Sequence, residues 1–187
     1  HRLFPTSSVR IIGRHNLENV MCAALVAILA GVESDRLEAV VKKFPGVEHR
    51  LEWAGDVSGI TFINDSKGTN CAASITALQA CRRPLILLAG GRDKGTDLAD
   101  WVTAVRTLSR GVVLFGEARA RFRSALEGLV PLKMATTLEQ ALTTAYQWAD
   151  PGDTILLSPA CSSYDQFPNF EIRGETFKQL VRTLEPR

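Results

Sequence analysis

The sequence predicts an α/β fold: a Rossmann-like, mainly parallel sheet flanked by helices, with an N-terminal hairpin and a partial helical segment of a preceding domain. Three observations predict it. Apolar runs such as Leu85–Ala89 and Val112–Phe115 are continuous rather than alternating, as in strands buried on both faces of a sheet. Helical periodicities follow these runs in turn, which implies βαβ units and right-handed crossovers. Three strand candidates end abruptly in polar stretches, and open α/β sheets bind ligands at the carboxyl ends of their strands.

In chain order, Val9–Ile12 is a short strand candidate closed by Gly13. Asn16 is a candidate N-cap for an alanine-rich helix running to Ala30, with Gly31 as its stop signal. Asn16 and Asn19 are three apart, so both amides can share one side of the first turn. The same two residues suit a capped helix and nothing more. Ser34 can cap a helix over Asp35–Phe44, whose apolar stripe is Leu37, Val40, Val41 and Phe44. Two helices after one strand make a poor domain, so this segment reads as the tail of a larger one. Pro45-Gly46 breaks the helix, and Val47-Glu48-His49-Arg50 reads as an interdomain hinge. Arg50 is either a phosphate ligand or a surface charge beside Glu48 and Glu52.

Leu51–Val57, Ser58-Gly59 and Ile60–Asn64 read as a hairpin. Helices follow over Asn70–Ala80, from Asp97 to Thr107 and over Ala118–Leu126. A capping box at Thr137-Leu138-Glu139-Gln140 opens another that runs to Ala149. Leu85–Ala89, Val112–Phe115, Leu132–Ala135 and Thr154–Ser158 supply strands, and Glu175–Leu184 the closing helix.

Composition narrows the function. The 187 residues are 45% hydrophobic with a net charge of +2, enough for a sizeable core. Lys and Arg are not clustered densely enough for a nucleic-acid face, although a single anionic ligand would suit the charge. No run approaches a membrane span. Cys22, Cys71, Cys81 and Cys161 have no metal-ligand spacing and read as buried, reduced thiols of a cytoplasmic protein.

Chemistry can sit at three strand ends. The first is Asn64-Asp65-Ser66-Lys67-Gly68-Thr69-Asn70. Gly68 permits unusual backbone angles, Thr69 or Asn70 can cap the next helix, and that helix offers free N–H groups to an anion. Lys67 adds positive charge, and Asp65 can accept from a hydroxyl or a metal-bound water. An ordinary strand–turn–helix corner with a solvated lysine has the same residues. The second is Gly90-Gly91-Arg92-Asp93-Lys94-Gly95-Thr96-Asp97, which has neither P-loop nor dinucleotide-fingerprint spacing. The third is the long hydroxyl-rich stretch Ser158–Gly174, where Tyr164, Phe167 and Phe170 argue for order. Its Ser162, Ser163 and Cys161 have no histidine nearby in sequence, which argues against a triad.

These stretches resemble the Mur ligase family. The resemblance is carried by Gly13-Arg14-His15-Asn16-Leu17-Glu18-Asn19, Phe44-Pro45-Gly46-Val47-Glu48-His49-Arg50-Leu51-Glu52, Asn64–Asn70, Gly90–Asp97 and Leu157–Phe167, in the family's order and spacing. The last two resemble the D-glutamate-adding branch, and the Asp-Asn-Pro-Arg motif associated with diaminopimelate addition is absent from the sequence. The resemblance implies that residues 1–45 end a central ATP-binding domain and 46–187 form a C-terminal amino-acid-binding domain. The P-loop, magnesium ligands and carbamylated lysine would then lie upstream, as would a domain for the uridine nucleotide. This stretch alone is expected to be inactive.

The resemblance also implies a cytoplasmic, monomeric, ADP-forming ligase of peptidoglycan precursor synthesis using ATP and Mg2+. Its substrates would be D-glutamate and UDP-N-acetylmuramoyl-L-alanine, joined through an acyl phosphate, with neither nucleic acid nor membrane as partner. By motif, Asn16 and Asn19 would contact adenine, Arg50 a phosphate, and Asp65 the ribose region. Lys67 would add charge near the phosphates, and Asp65 and Lys67 are the catalytic candidates. Thr69, Lys94, Ser163 and Phe170, the last through its backbone, would hold the carboxylates of D-glutamate. The alternatives are another ligase of this superfamily, such as a folylpolyglutamate synthase, or a non-catalytic module that binds a small acidic metabolite.

Overall fold

The computed structural model describes residues 3–187. They divide into two compact units between Val47 and Glu48. In the first, a 3-10 turn at Thr6–Ser8 precedes α1 (Arg14–Leu29) and α2 (Ser34–Lys43). Val9–Ile12 is not a strand. The unit offers no second strand among its described residues, and an unpaired strand leaves its backbone groups unsatisfied. Nor is Asn16 the cap of α1. The helix starts two residues earlier, with Gly13 as N-cap at φ 100°, and the Asn16 amide donates to Ile12 O at 2.7 Å.

The other end of α1 follows expectation. Gly31 turns at φ 88°, and the N–H groups of Gly31 and Val32 donate to Ile28 O and Ala27 O, a Schellman ending. Ser34 lies inside α2 rather than capping it; Glu33 is the N-cap and makes no side-chain bond there. The expected α2 stripe is incomplete, because Leu37 is buried while Val40 and Phe44 are exposed.

The second unit opens with β1 (Glu52–Val57) and β2 (Ile60–Asn64), an antiparallel hairpin. Ser58 and Gly59 both have positive φ, 52° and 76°, the turn whose twist matches that of the strands. Then follow α3 (Cys71–Ala80), β3 (Leu85–Gly90), α4 (Ala99–Leu108), β4 (Gly111–Phe115) and α5 (Arg119–Leu126). The chain ends with β5 (Leu132–Met134), α6 (Leu138–Trp148), β6 (Thr154–Leu157) and α7 (Phe170–Arg182). The sheet order is β1-β2-β6-β3-β4-β5, and every pairing except β1 with β2 is parallel.

Alternate strand residues build two cores. Ile60, Phe62, Ile86, Leu88, Val113, Phe115, Ile155 and Leu157 pack with Leu138, Leu142 and Tyr146 of α6 and Phe177 and Val181 of α7. Leu85, Leu87, Val112, Leu114 and Leu156, equally buried, face the other side of the sheet, where α3, α4 and α5 lie against one another. Trp101 of α4 is fully buried there, packed at a 43° tilt against Phe122 with ring centres 4.7 Å apart and donating to Ser74 Oγ at 3.1 Å.

The closing helix begins at Phe170, five residues before the sequence suggests. Asn169 caps it by accepting from Ile172 N–H at 2.7 Å. Its buried stripe is Arg173, Gly174, Phe177, Lys178 and Val181, and so many polar members hide its first turn from an apolar-periodicity reading. Cysteine burial is also mixed: Cys81 and Cys161 are buried, whereas Cys71 is partly exposed and Cys22 exposed.

Topology sets the position of a crevice. β6 lies between β2 and β3, whose connections lead to α3 and α4 on one face, whereas β6 leads to α7 on the other. Chains diverging from adjacent strand ends open a ligand crevice.

Candidate functional site

The floor of this crevice is the carboxyl end of β2. Asp65 is buried, with Oδ1 accepting from Leu51 N–H at 3.3 Å and Oδ2 from the Ser158 hydroxyl at 2.7 Å. Burial pushes its pKa up to about 7 against the opposing pull of Ser158, Leu51 N–H and the Arg50 and Arg173 charges. Gly68 is fitted to this pair. A Cβ there would lie 2.5 Å from Asp65 Oδ2 and 2.7 Å from Ser158 Oγ. Gly68 N–H donates to Asp65 O and its carbonyl accepts from Ala160 N–H, so the β2 and β6 loops are joined.

Arg173 completes the junction. It is fully buried, and its guanidinium donates to Ser66 Oγ at 3.0 Å, Ser66 O at 2.8 Å and Cys161 O at 3.2 Å. Burial pulls its pKa down to about 10. Ser66 Oγ in turn donates to Phe170 O at 2.8 Å. The Lys67 ammonium stands 3.8 Å above the Phe170 ring, and cation–π attraction holds it at the mouth of the crevice. Asn70 caps α3 by accepting from Ala73 N–H.

Two further loops form the rim. Ser162 and Arg92 pair through their backbones, so the β3 and β6 loops are tied. Arg92 is engaged with Glu117, and Asp93 with Arg121. Lys94 is exposed and makes no salt bridge among the described residues. The same loop touches the start of α3, with Thr96 Oγ1 3.7 Å from Cys71 Sγ. Ser163 is buried, and its carbonyl accepts from the Gln166 and Phe167 N–H groups. Cys161 is a poor nucleophile, because burial pushes its thiol up to about 12.

The structure therefore gathers Asp65, Lys67, Thr69, Lys94 and Ser163 on loops, and Phe170 at the first position of α7, around the carboxyl edge of the sheet, with Arg50 adjoining Asp65. Asn16 and Asn19 lie three residues apart near the start of α1 in the other unit. Sequence reasoning placed Asn64, Ser66, Ser158 and Arg173 in the polar strand-end stretches but assigned none of them a role. Asn64 is fully buried; its amide donates to Glu52 Oε2 at 2.9 Å and to His49 Nδ1 at 3.1 Å, and its carbonyl accepts from Ser66 N–H. Arg173 meets Ser66 across 107 positions, and the Asn64 partners Glu52 and His49 lie 12 and 15 positions away on the preceding strand and hinge, so no helix or strand spacing announces either.

Glu48, His49 and Glu175 bring ligand atoms within 4.8 Å of one another. Lys178 Nζ lies 2.6 Å from Glu175 and 3.6 Å from Glu48, so an ammonium already supplies the counter-charge there.

Residues 49–161 match the family described as "Mur ligase, glutamate ligase domain", which is most of the chain. The chain belongs to the Mur ligase family. Among curated Mur ligases, the UDP-N-acetylmuramoylalanine–D-glutamate ligase of Solibacter usitatus is 45% identical over 185 residues, 99% of this chain and 42% of that protein. The enzyme of the same name from Caldanaerobacter subterraneus is 42% identical over 187 residues, again 42% of its length. The chain thus spans about two fifths of these relatives. Solved structures agree on the fold. The UDP-N-acetylmuramate-alanine ligase of Thermotoga maritima gives a TM-score of 0.69 at 14% identity, over 94% of this chain and 39% of that one. The Mycobacterium tuberculosis folylpolyglutamate synthase complexed with ADP gives 0.68 at 18%, over 96% and 42%. Among the described residues, no helix of this Mur ligase chain is long and apolar enough to cross a membrane.

Proposed function

We propose that this chain is the C-terminal part of an ADP-forming ligase that adds D-glutamate to UDP-N-acetylmuramoyl-L-alanine. In this reading residues 46–187 form the amino-acid-binding domain and residues 1–45 end the ATP-binding domain. The observation that carries the reading is the cationic, hydroxyl-lined rim at the carboxyl edge of the sheet. There Lys94 is unpaired among the described residues while its neighbours Arg92 and Asp93 are neutralised by Glu117 and Arg121.

The substrate carboxylate attacks the γ-phosphorus of ATP, and ADP leaves. The amine of D-glutamate then attacks the acyl phosphate, and phosphate departs from the tetrahedral intermediate. Such chemistry depends on positioning and charge stabilisation rather than on a protein nucleophile. Lys94, Thr69, Ser163 and the first amides of α7 at Phe170 hold the D-glutamate carboxylates, since a lysine and helix N-terminal N–H groups both favour carboxylate. Asn16, Asn19, Arg50 and Asp65 serve ATP, and Lys67 adds charge between the two ligands. Closure about Pro45-Gly46 would bring the two ligands together.

Steady-state kinetics of the full-length protein tests this. Lys94→Ala should raise KM for D-glutamate by about a hundredfold, the loss of one charge-assisted clamp, with KM for ATP changed by about twofold at most. Equal effects on the two constants would contradict the assignment.

A further inference from the structure

Arg50 is exposed between two residues in the left-handed region, His49 at φ 63° and Leu51 at φ 48°. Neither is glycine, and such a backbone persists only where its surroundings over-determine it. Four bonds do so here. His49 N–H donates to Glu52 Oε2 at 2.9 Å, and Leu51 N–H to Asp65 Oδ1. Lys67 N–H donates to His49 O at 3.0 Å, and the Asn64 amide donates to His49 Nδ1.

Glu52 is the node of this clamp. Its Oε2 accepts from His49 N–H and from Asn64 Nδ2, and its Oε1 accepts from Lys178 Nζ at 3.0 Å. Burial opposes the Glu52 charge, yet these donors outweigh it and keep its carboxyl below the ordinary range. Lys178, in turn, is buried on α7 and bonded to Glu175 one turn earlier. A continuous polar chain therefore runs from α7 through Glu52 to the backbone N–H of His49, on one side of Arg50, while Asp65 holds Leu51 on the other. Both Glu52 carboxylate oxygens are engaged by these donors.

We infer that Glu52, anchored by Lys178, is a positioning residue that fixes the His49-Arg50-Leu51 turn and so presents Arg50 to a nucleotide phosphate. This rests on the assignment of Arg50 to phosphate. A long exposed side chain binds better when its backbone is already set, because less freedom is lost on contact.

A double-mutant cycle on the full-length protein tests the inference, with the dissociation constant of a fluorescent ADP analogue as readout. Arg50→Ala and Glu52→Ala should each weaken binding by about tenfold, the scale of one charge-assisted contact. Glu52→Gln keeps an acceptor for His49 N–H and Asn64 and should stay within about threefold of the parent. The double variant should bind no more weakly than Arg50→Ala alone, because Glu52 acts only through Arg50. Additive losses, or an unchanged constant in Glu52→Ala where Arg50→Ala weakens binding, would overturn the positioning role and leave the phosphate assignment standing. An unchanged constant in Arg50→Ala would overturn both. If Glu52→Ala does not fold, Lys178→Met takes its place in the cycle, with an expected loss of about threefold and the same non-additivity.

Discussion

At the scale of single residues, Asp65 and Gly174 are held in place against their intrinsic preferences. Asp65 is a buried carboxyl whose pKa is raised to about 7, so its contribution runs opposite to that of a salt-bridged aspartate. Its stabilising effect is fully present below the unfolded value near 3.8 and is lost as pH rises through about 7. Asp65→Asn, neutral at every pH, should therefore become more stable relative to the parent across pH 4 to 7, by up to about 4 kcal/mol, and level off above. Denaturant unfolding at a series of pH values checks this, and a pH-independent difference would contradict the burial.

Gly174 lies inside α7, where alanine would ordinarily gain about 1 kcal/mol. A Cβ there would be driven into the His49 ring. Gly174→Ala should instead destabilise by about 2 kcal/mol, read from the same unfolding experiment. Asp65 and Lys67 were legible in the sequence because a polar run after an apolar strand places them at a strand end. Glu52, Asn64 and Arg173 were not. Arg173 meets Ser66 across 107 positions, and Glu52 meets Lys178 across 126, so their roles exist only once α7 has folded back beside the first strands.

At the scale of elements, side-chain caps close two helix N-termini that follow the β2 and β6 loops, Asn70 for α3 and Asn169 for α7. Asn169→Ala should cost about 1 kcal/mol and loosen the first turn of α7. Because that turn carries Phe170, affinity for D-glutamate should fall with it while affinity for ATP holds; isothermal titration of each ligand with the full-length protein separates the two. The parallel strands were readable because continuous apolar runs alternating with helical periodicities suit strands buried on both faces. The start of α7 was not, because Arg173, Gly174 and Lys178 occupy its buried face and break the apolar period. Val9–Ile12 misled for the reverse reason: an apolar run is a strand only if another strand pairs with it, and none does among the described residues.

At the scale of the whole molecule, the candidate site residues belong to two compact units that meet in sequence between Val47 and Glu48. Asn16 and Asn19 lie on one, and the residues assigned to D-glutamate on the other. The residues assigned to ATP fall on both, because Arg50 and Asp65 belong to the second unit. Trp101 shows how firmly the second unit is built: Trp101→Ala should cost about 3–5 kcal/mol by opening the core between α4 and α5, measurable as a shift in denaturant midpoint.

The most direct measurement is phosphate release by the full-length protein given ATP, UDP-N-acetylmuramoyl-L-alanine and one amino acid at a time. D-glutamate should release phosphate in step with new amide, while L-glutamate and diaminopimelate should not. Turnover that prefers either of those, or release of phosphate without amide in the presence of D-glutamate, would contradict the assignment of this site to D-glutamate.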